Sequence, residues 1–131
     1  MQFNFGKTER LKSEKEIKNL FDKGASNFIN PVRAIFLFYS SDTIESKILV
    51  SVSKRHFKEA VDRNLLKRRM REAYRLNSYK LKENLNSNQV SVKIAFIYSS
   101  GKILTFKEIE AVVLKNIEYI ISKMPPSEEN N

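Results

Sequence analysis

Apolar positions recur along this chain in two periods, and together they predict six elements. Ser13 with Glu16 three residues on has the spacing of a capping box that starts a helix. Ile17, Leu20 and Phe21 then form an i, i+3, i+4 stripe, and Gly24 offers a stop. After Pro31, the run VRAIFLFYS is dense in apolar and aromatic residues and ends in a Ser-Ser-Asp turn, as a strand does. KILVSVS, ending just before Lys54, supplies a second strand, expected to pair with the first as a hairpin. From Ala60 to Leu76 there is no Gly or Pro and most residues are good helix formers, so a second helix is predicted there. Asn84 to Gln89 reads as a polar break. VSVKIAFIY alternates at Val90, Val92, Ile94 and Phe96 as a third strand. Ser99, Ser100 and Gly101 turn the chain into a last helix, from about Thr105 to Lys123. Its Ile109, Val112, Val113, Asn116, Ile117 and Ile120 form a core-facing side with one polar interruption, and Pro125 and Pro126 end it.

The order helix-strand-strand-helix-strand-helix makes one α+β domain over residues 1–124, followed by a disordered tail, 125–131. With 131 residues, 41% of them hydrophobic, and nine Phe and five Tyr, the chain can bury a core and is no disordered basic tail. The absence of Cys excludes disulfides, thiol catalysis and thiolate metal sites, and suits a reducing cytoplasm. No apolar run approaches the ~18 residues of a membrane span, and MQFNFGKTER lacks a signal-peptide core. A soluble cytoplasmic protein with no membrane partner is expected.

Charge changes the picture most. The formal net charge is +9, and the stretch from Lys54 to Arg75 carries nine Lys or Arg against three acids, which is +6 of it. On a helix, Leu65, Leu66, Met70, Ala73 and Leu76 fall on one side, while Arg63, Asn64, Lys67, Arg68, Arg71 and Arg75 fall on the other. Like charges stacked at four-residue steps weaken a helix until a polyanion neutralises them. Arg69 lands within the apolar arc, where its long stem would have to snorkel out. Most charge runs are solvated faces of mixed sign, but this one is nearly free of acids. It points to nucleic acid, and to RNA first.

Independent enzyme chemistry is poorly supported. The single histidine, His56, sits between Arg55 and Lys58 in a field that disfavours a general base. One His and no Cys leave zinc short of its favoured ligands. Gly6, Gly24 and Gly101 are isolated from one another, so no phosphate-cradling loop is present. The carboxylate pairs Glu14 and Glu16, Glu108 and Glu110, and Glu128 and Glu129 read as solvated surface charge.

Val52-Ser53-Lys54-Arg55, then Ala60, Arg63-Asn64, Leu66-Lys67-Arg68 and Arg71-Glu72-Ala73-Tyr74-Arg75 closely resemble the signature of the bacterial ribonuclease P protein component. Phe3, Phe5, Glu9-Arg10-Leu11-Lys12-Ser13 and Phe21 resemble that family's opening segment, so the likeness runs from about Phe3 to Met124. The resemblance implies a small two-layer α+β sandwich with a left-handed βαβ crossover. It also implies partnership with a large catalytic RNA that, with Mg²⁺ bound mainly by the RNA, removes the 5′ leader of precursor tRNA, the protein being monomeric when free. In that picture Ser53, Lys54, Arg55, Arg63, Asn64, Lys67, Arg68, Arg71 and Arg75 meet the catalytic RNA. A cleft between the first helix and the sheet takes the leader through Phe21, Phe36, Ser51 and Lys54, with Phe38 a further stacking candidate whose alternative is core packing. A leader of variable sequence suits backbone charge and aromatic stacking, which tolerate any base.

The chain departs from the family pattern at four positions. Leu65 stands where the Arg-Asn-Arg triplet has its last Arg, Arg69 where an apolar residue is usual, Ile17 at a common Phe and Leu49 at a frequent Gly. Other classes remain: a ribosomal or general RNA-binding protein, a helix-turn-helix DNA reader, and a standalone nuclease. The apolar run KILVSVS immediately before the basic helix argues against the second, and the lack of a carboxylate cluster against the third.

Overall fold

The computed structural model describes residues 9–126. In chain order these form α1 (Glu14–Lys23), β1 (Ala25–Ile29), β2 (Val32–Tyr39), β3 (Ser46–Val52), α2 (Ala60–Asn77), α3 (Tyr79–Asn88), β4 (Ser91–Tyr98) and α4 (Phe106–Ser122). The expected tail beyond 126 lies outside the described residues, as do Phe3 and Phe5. The α+β class stands, with two elements added. β1 is a short strand that pairs back onto β2, and α3 occupies most of the stretch expected to be a polar break.

Strand order in the sheet is β1-β2-β4-β3. The expected hairpin of VRAIFLFYS with KILVSVS is therefore not made. β4 lies between them, antiparallel to β2 and parallel to β3. The parallel pair is joined through α2 and α3, a βαβ unit. Even-numbered residues of β2, β3 and β4, among them Val32, Phe36, Ile48, Val50, Ile94 and Phe96, point to one face. There they pack with Leu66, Met70, Ala73 and Tyr74 of α2, Leu81 and Leu85 of α3, and Ile109, Val113, Ile117 and Ile120 of α4. Odd-numbered Ile35, Leu37, Leu49 and Ala95 point to the opposite face, where Leu11, Ile17 and Leu20 cover them. Period-2 alternation thus divides one sheet between two cores.

Polar anchors fix the layers. Buried Asn116 of α4 donates to Val32 O at 3.2 Å and accepts from Asn27 Nδ2 at 3.0 Å, tying the helix to both strands of the β1–β2 hairpin. On the other face the Glu16 carboxylate sits 3.6 Å from Lys47 Nζ and 4.0 Å from buried Lys93 Nζ. The expected capping box at Ser13 is therefore half made: Ser13 Oγ accepts from the Glu16 amide, but the Glu16 side chain reaches to the sheet. The reciprocal box forms at α4, between Thr105 and Glu108.

Candidate nucleic-acid interface

The stretch from Ser51 to Arg75 begins as the end of an edge strand and continues through a tight turn into α2. Ser53 shapes that turn. Its hydroxyl accepts from the Arg55 amide at 3.1 Å, and its carbonyl accepts from the Phe57 amide at 3.2 Å. Phe57 is buried against Tyr98, ring centroids 6.2 Å apart, so Lys54, Arg55 and His56 are held out on the exposed crest. An ordered turn that presents two cations loses less freedom on meeting a phosphate than a floppy one would.

The six basic-face residues of α2 do not share one environment. Arg63 Nη1 donates to the carbonyls of Phe57 and Lys58, at 2.7 and 2.9 Å, clamping the turn to the helix start. Arg75 is paired with Glu72, which holds that carboxyl below and the guanidinium above their ordinary ranges. Asn64 and Arg68 are exposed, and Lys67 is partly so. Arg71 lies with Arg10 and Lys12 around a cleft of about 210 Å³ along the β3 edge. Burial, and then the nearby charge of Arg10, lowers the Arg71 pKa from its ordinary value. Two guanidinium groups converging there make that cleft a place where an anion is welcome.

Arg69 also has an address. Its guanidinium donates to the Leu104 carbonyl in the segment before α4, so the snorkelling stem ends in a tether between helices. Leu66, Met70, Ala73 and Tyr74 are buried, whereas Leu76, expected on the apolar side, is 40% exposed.

The leader-side residues separate more sharply. Ser51 belongs to the sheet face that α1 crosses, since its cross-strand partner is Ile97 and its neighbour Leu49 packs under α1. Ile17 is packed on that face, and Phe21, one turn further along the same side of α1, is 44% exposed. Phe36 is a correction. It is 3% exposed, points to the opposite face, and packs edge-on to Phe38 and Tyr119, so it cannot stack a leader base. Phe38 is partly buried against the same core. Leu49 and Ile17 together give the α1 face apolar bulk around Leu11, Leu20 and Ala95.

Arg10 and Lys12, beside Arg71, entered the sequence reading only as part of the opening segment and with no binding role, and Phe28 and Arg33 on the hairpin were given none either. Only the path of the segment before α1 over β3, where the Leu11 amide donates to Ile48 O at 2.8 Å, reveals the first pair. A larger cavity, about 400 Å³, lies elsewhere, among Glu9, Glu45, Ser46 and Lys82. Its Lys82 faces Glu9, and its Glu45 accepts from Tyr39 Oη at 2.6 Å. Among the described residues no cluster of three or more His, Cys, Asp or Glu is placed to hold a metal ion, and no helix is long and apolar enough to cross a membrane.

Comparison with known proteins agrees with this geometry. A family model described as Ribonuclease P matches residues 5–120. A ribonuclease P protein component of Porphyromonas gingivalis is 35% identical over 130 residues, covering 98% of this chain and 95% of that protein. The Clostridioides difficile component is 32% identical over 114 residues, covering 87% of this chain and 92% of its own length. Among solved structures, the Staphylococcus aureus RNase P protein superposes with TM-score 0.66 at 23% identity, over 89% of this chain and 97% of that one. The Thermotoga maritima protein gives 0.65 at 20% identity, over 85% and 96%. At those identities the structural likeness speaks for the fold.

Proposed function

From the premise that the chain belongs to the ribonuclease P protein family, we propose that it is the subunit that grips the catalytic RNA and the 5′ leader of precursor tRNA, and so aids leader removal in the cytoplasm. The observation that carries this reading is the set of cations presented by the turn and α2, with Lys54, Arg55 and Arg68 exposed and Lys67 and Arg71 half-buried, together with Arg10 and Lys12, which line the same cleft as Arg71 at the β3 edge. Phosphates docked along it release counterions and concentrate cations near the scissile bond. In this reading Mg²⁺ is held mainly by the RNA, as the family resemblance implies. The protein's share is positioning: α2 orients the RNA, and the α1 face of the sheet holds the leader. The protein alone is not the nuclease.

Cleavage of a precursor tRNA by a bacterial catalytic RNA at low Mg²⁺, with and without this protein, tests the reading. Stimulation at the correct 5′ site, with no cleavage by protein alone, is expected. Tight, salt-sensitive RNA binding without stimulation would instead favour a general RNA-binding protein. Arg68→Ala should weaken assembly with the catalytic RNA and reduce the log-log salt slope by about one unit. An unchanged slope counts against a direct phosphate contact at Arg68.

A further inference from the structure

Strand register aligns Phe28 with Arg33, Arg33 with Ile97, and Ile97 with Ser51, which makes one transverse row across all four strands. The row lies on the α1 face, because the neighbouring row, Ile35, Ala95 and Leu49, packs against α1 residues. One row further, Lys93 and Lys47 meet Glu16 of α1. α1 therefore covers the middle of this face and stops short of the Phe28 row. Phe28 is 45% exposed, and Arg33 is exposed as well. The Arg33 guanidinium carbon lies 5.0 Å from the Phe28 ring centroid, and Nη1 donates to Ser26 Oγ at 2.9 Å. A cation is thus held in place over an aromatic ring on an open sheet surface.

We propose that this row is a second platform for single-stranded RNA, on which a base stacks against Phe28 or the Arg33 guanidinium while Arg33 meets the adjoining phosphate. Resting on the leader role proposed above, it assigns the more distal leader nucleotides to the β1–β2 hairpin, beyond Phe21 and Ser51. Three strand spacings of roughly 4.8 Å put Phe28 about 14 Å from Ser51, a path that a short run of nucleotides can follow. RNA is the occupant that fits the chemistry. The row holds a cation and no acid, lies on a chain of net charge +9, and continues the surface that carries Ser51. Its single aromatic and single Ile offer little apolar area to a protein partner, whereas one stacked ring suffices for a base.

The bland alternative is that Arg33, Phe28 and Ser26 merely staple the hairpin. The test therefore reads leader length, which a staple does not sense. Holoenzyme affinities are measured for precursor tRNAs with a long leader and with the same leader cut back to a few nucleotides, using Phe28→Ala, Arg33→Ala, Phe28→Tyr and Phe21→Ala proteins. Phe28→Ala and Arg33→Ala should each lose on the order of tenfold for the long leader and far less for the short one, and Phe28→Tyr should retain the long-leader affinity. Equal losses at both lengths, no loss at either, or a changed self-association of the protein would each overturn the platform. If Phe21→Ala alone erases the leader-length effect, the leader reading stands and the platform falls. If wild-type holoenzyme is blind to leader length, the leader reading itself falls.

Discussion

Replacing Asn116 by Leu should destabilise the protein by about 1–2 kcal/mol, because a buried polar junction would lose its centre. Asn116 is fully buried; it donates to Val32 O and Val112 O at 3.2 and 3.3 Å and accepts from Asn27 at 3.0 Å. Leu keeps the volume and gains apolar contact, which offsets part of the loss. It strands the Asn27 amide, and an unpaired buried donor costs about 1–3 kcal/mol. Asn27 is only partly buried and reaches some water, so the lower half of that range applies. For a chain of 131 residues, the melting temperature should fall by about 3–8 °C. Urea denaturation of N116L, N27A and the double variant gives the coupling directly. A coupling energy near ~1 kcal/mol is expected, and additivity within ~0.3 kcal/mol would refute the claim that the pair acts as a unit. The junction also sets where the β1–β2 hairpin sits, so N116L should reduce long-leader affinity through the hairpin.

Gly24→Ala should lose roughly 1–3 kcal/mol through crowding, since a Cβ there would lie 2.5 Å from Leu20 O and 3.0 Å from Phe36 O, both backbone atoms; a loss below a few tenths would refute that close approach. Glu16→Ala should cost about 1–2 kcal/mol by leaving buried Lys93 without its carboxylate, less than a tight buried pair because the distances are 3.6 and 4.0 Å. Adding Lys93→Met should recover stability, and a further loss would count against the latch. Hydrogen bonds from the Thr105 amide and hydroxyl hold the Glu108 carboxyl below its ordinary 4.5, so its folded pKa lies below its unfolded one. Its contribution is present above the unfolded value and is lost as pH falls through the folded value. The stability gap between wild type and Glu108→Gln should accordingly shrink on acidification, and a gap independent of pH would refute the cap's ionic character.

Local pattern was a good guide to elements whose identity is local. Ser13, the uninterrupted 60–76 stretch and the apolar face of 109–120 placed α1, α2 and α4, and alternation placed β2, β3 and β4. Pairing is not local. Alternation tells which residues share a face, but not which strand lies alongside, so insertion of β4 between β2 and β3 was hidden. β1 is five residues long and begins Ala-Ser-Asn, with little β propensity; it exists because β2 and α4 give it partners. α3 hides in a polar stretch because two Leu at i, i+4, Leu81 and Leu85, suffice to bury it, and it ends at Gln89 in a left-handed conformation (φ 54°) that Gly or Asn more often signals. Phe36 was misplaced for a related reason. Its parity with Val32 and Ala34 was visible, but not which face α1 would cover.

The same limit applies to the basic helix, and it bears on how the protein works. Arg63 and Arg68 look alike on a helical projection, yet Arg63 is engaged by two loop carbonyls and Arg68 is exposed. α2 and α1 lie on opposite faces of the sheet, so a surface for a large RNA and a channel for a leader would be far apart if the sheet ran on beyond them. It does not: β3 is an edge strand, Ser51 faces the α1 side, and Lys54 and Arg55 lie just beyond its end. Alongside that edge, Arg10 and Lys12 from the segment before α1 meet Arg71 from α2. The two surfaces therefore adjoin around the edge of one strand. An edge strand is usually protected against pairing with another chain by charge or cover. Here the cations that guard β3 also join its two faces, so RNA held on α2 and a leader crossing the α1 face would meet at the same edge.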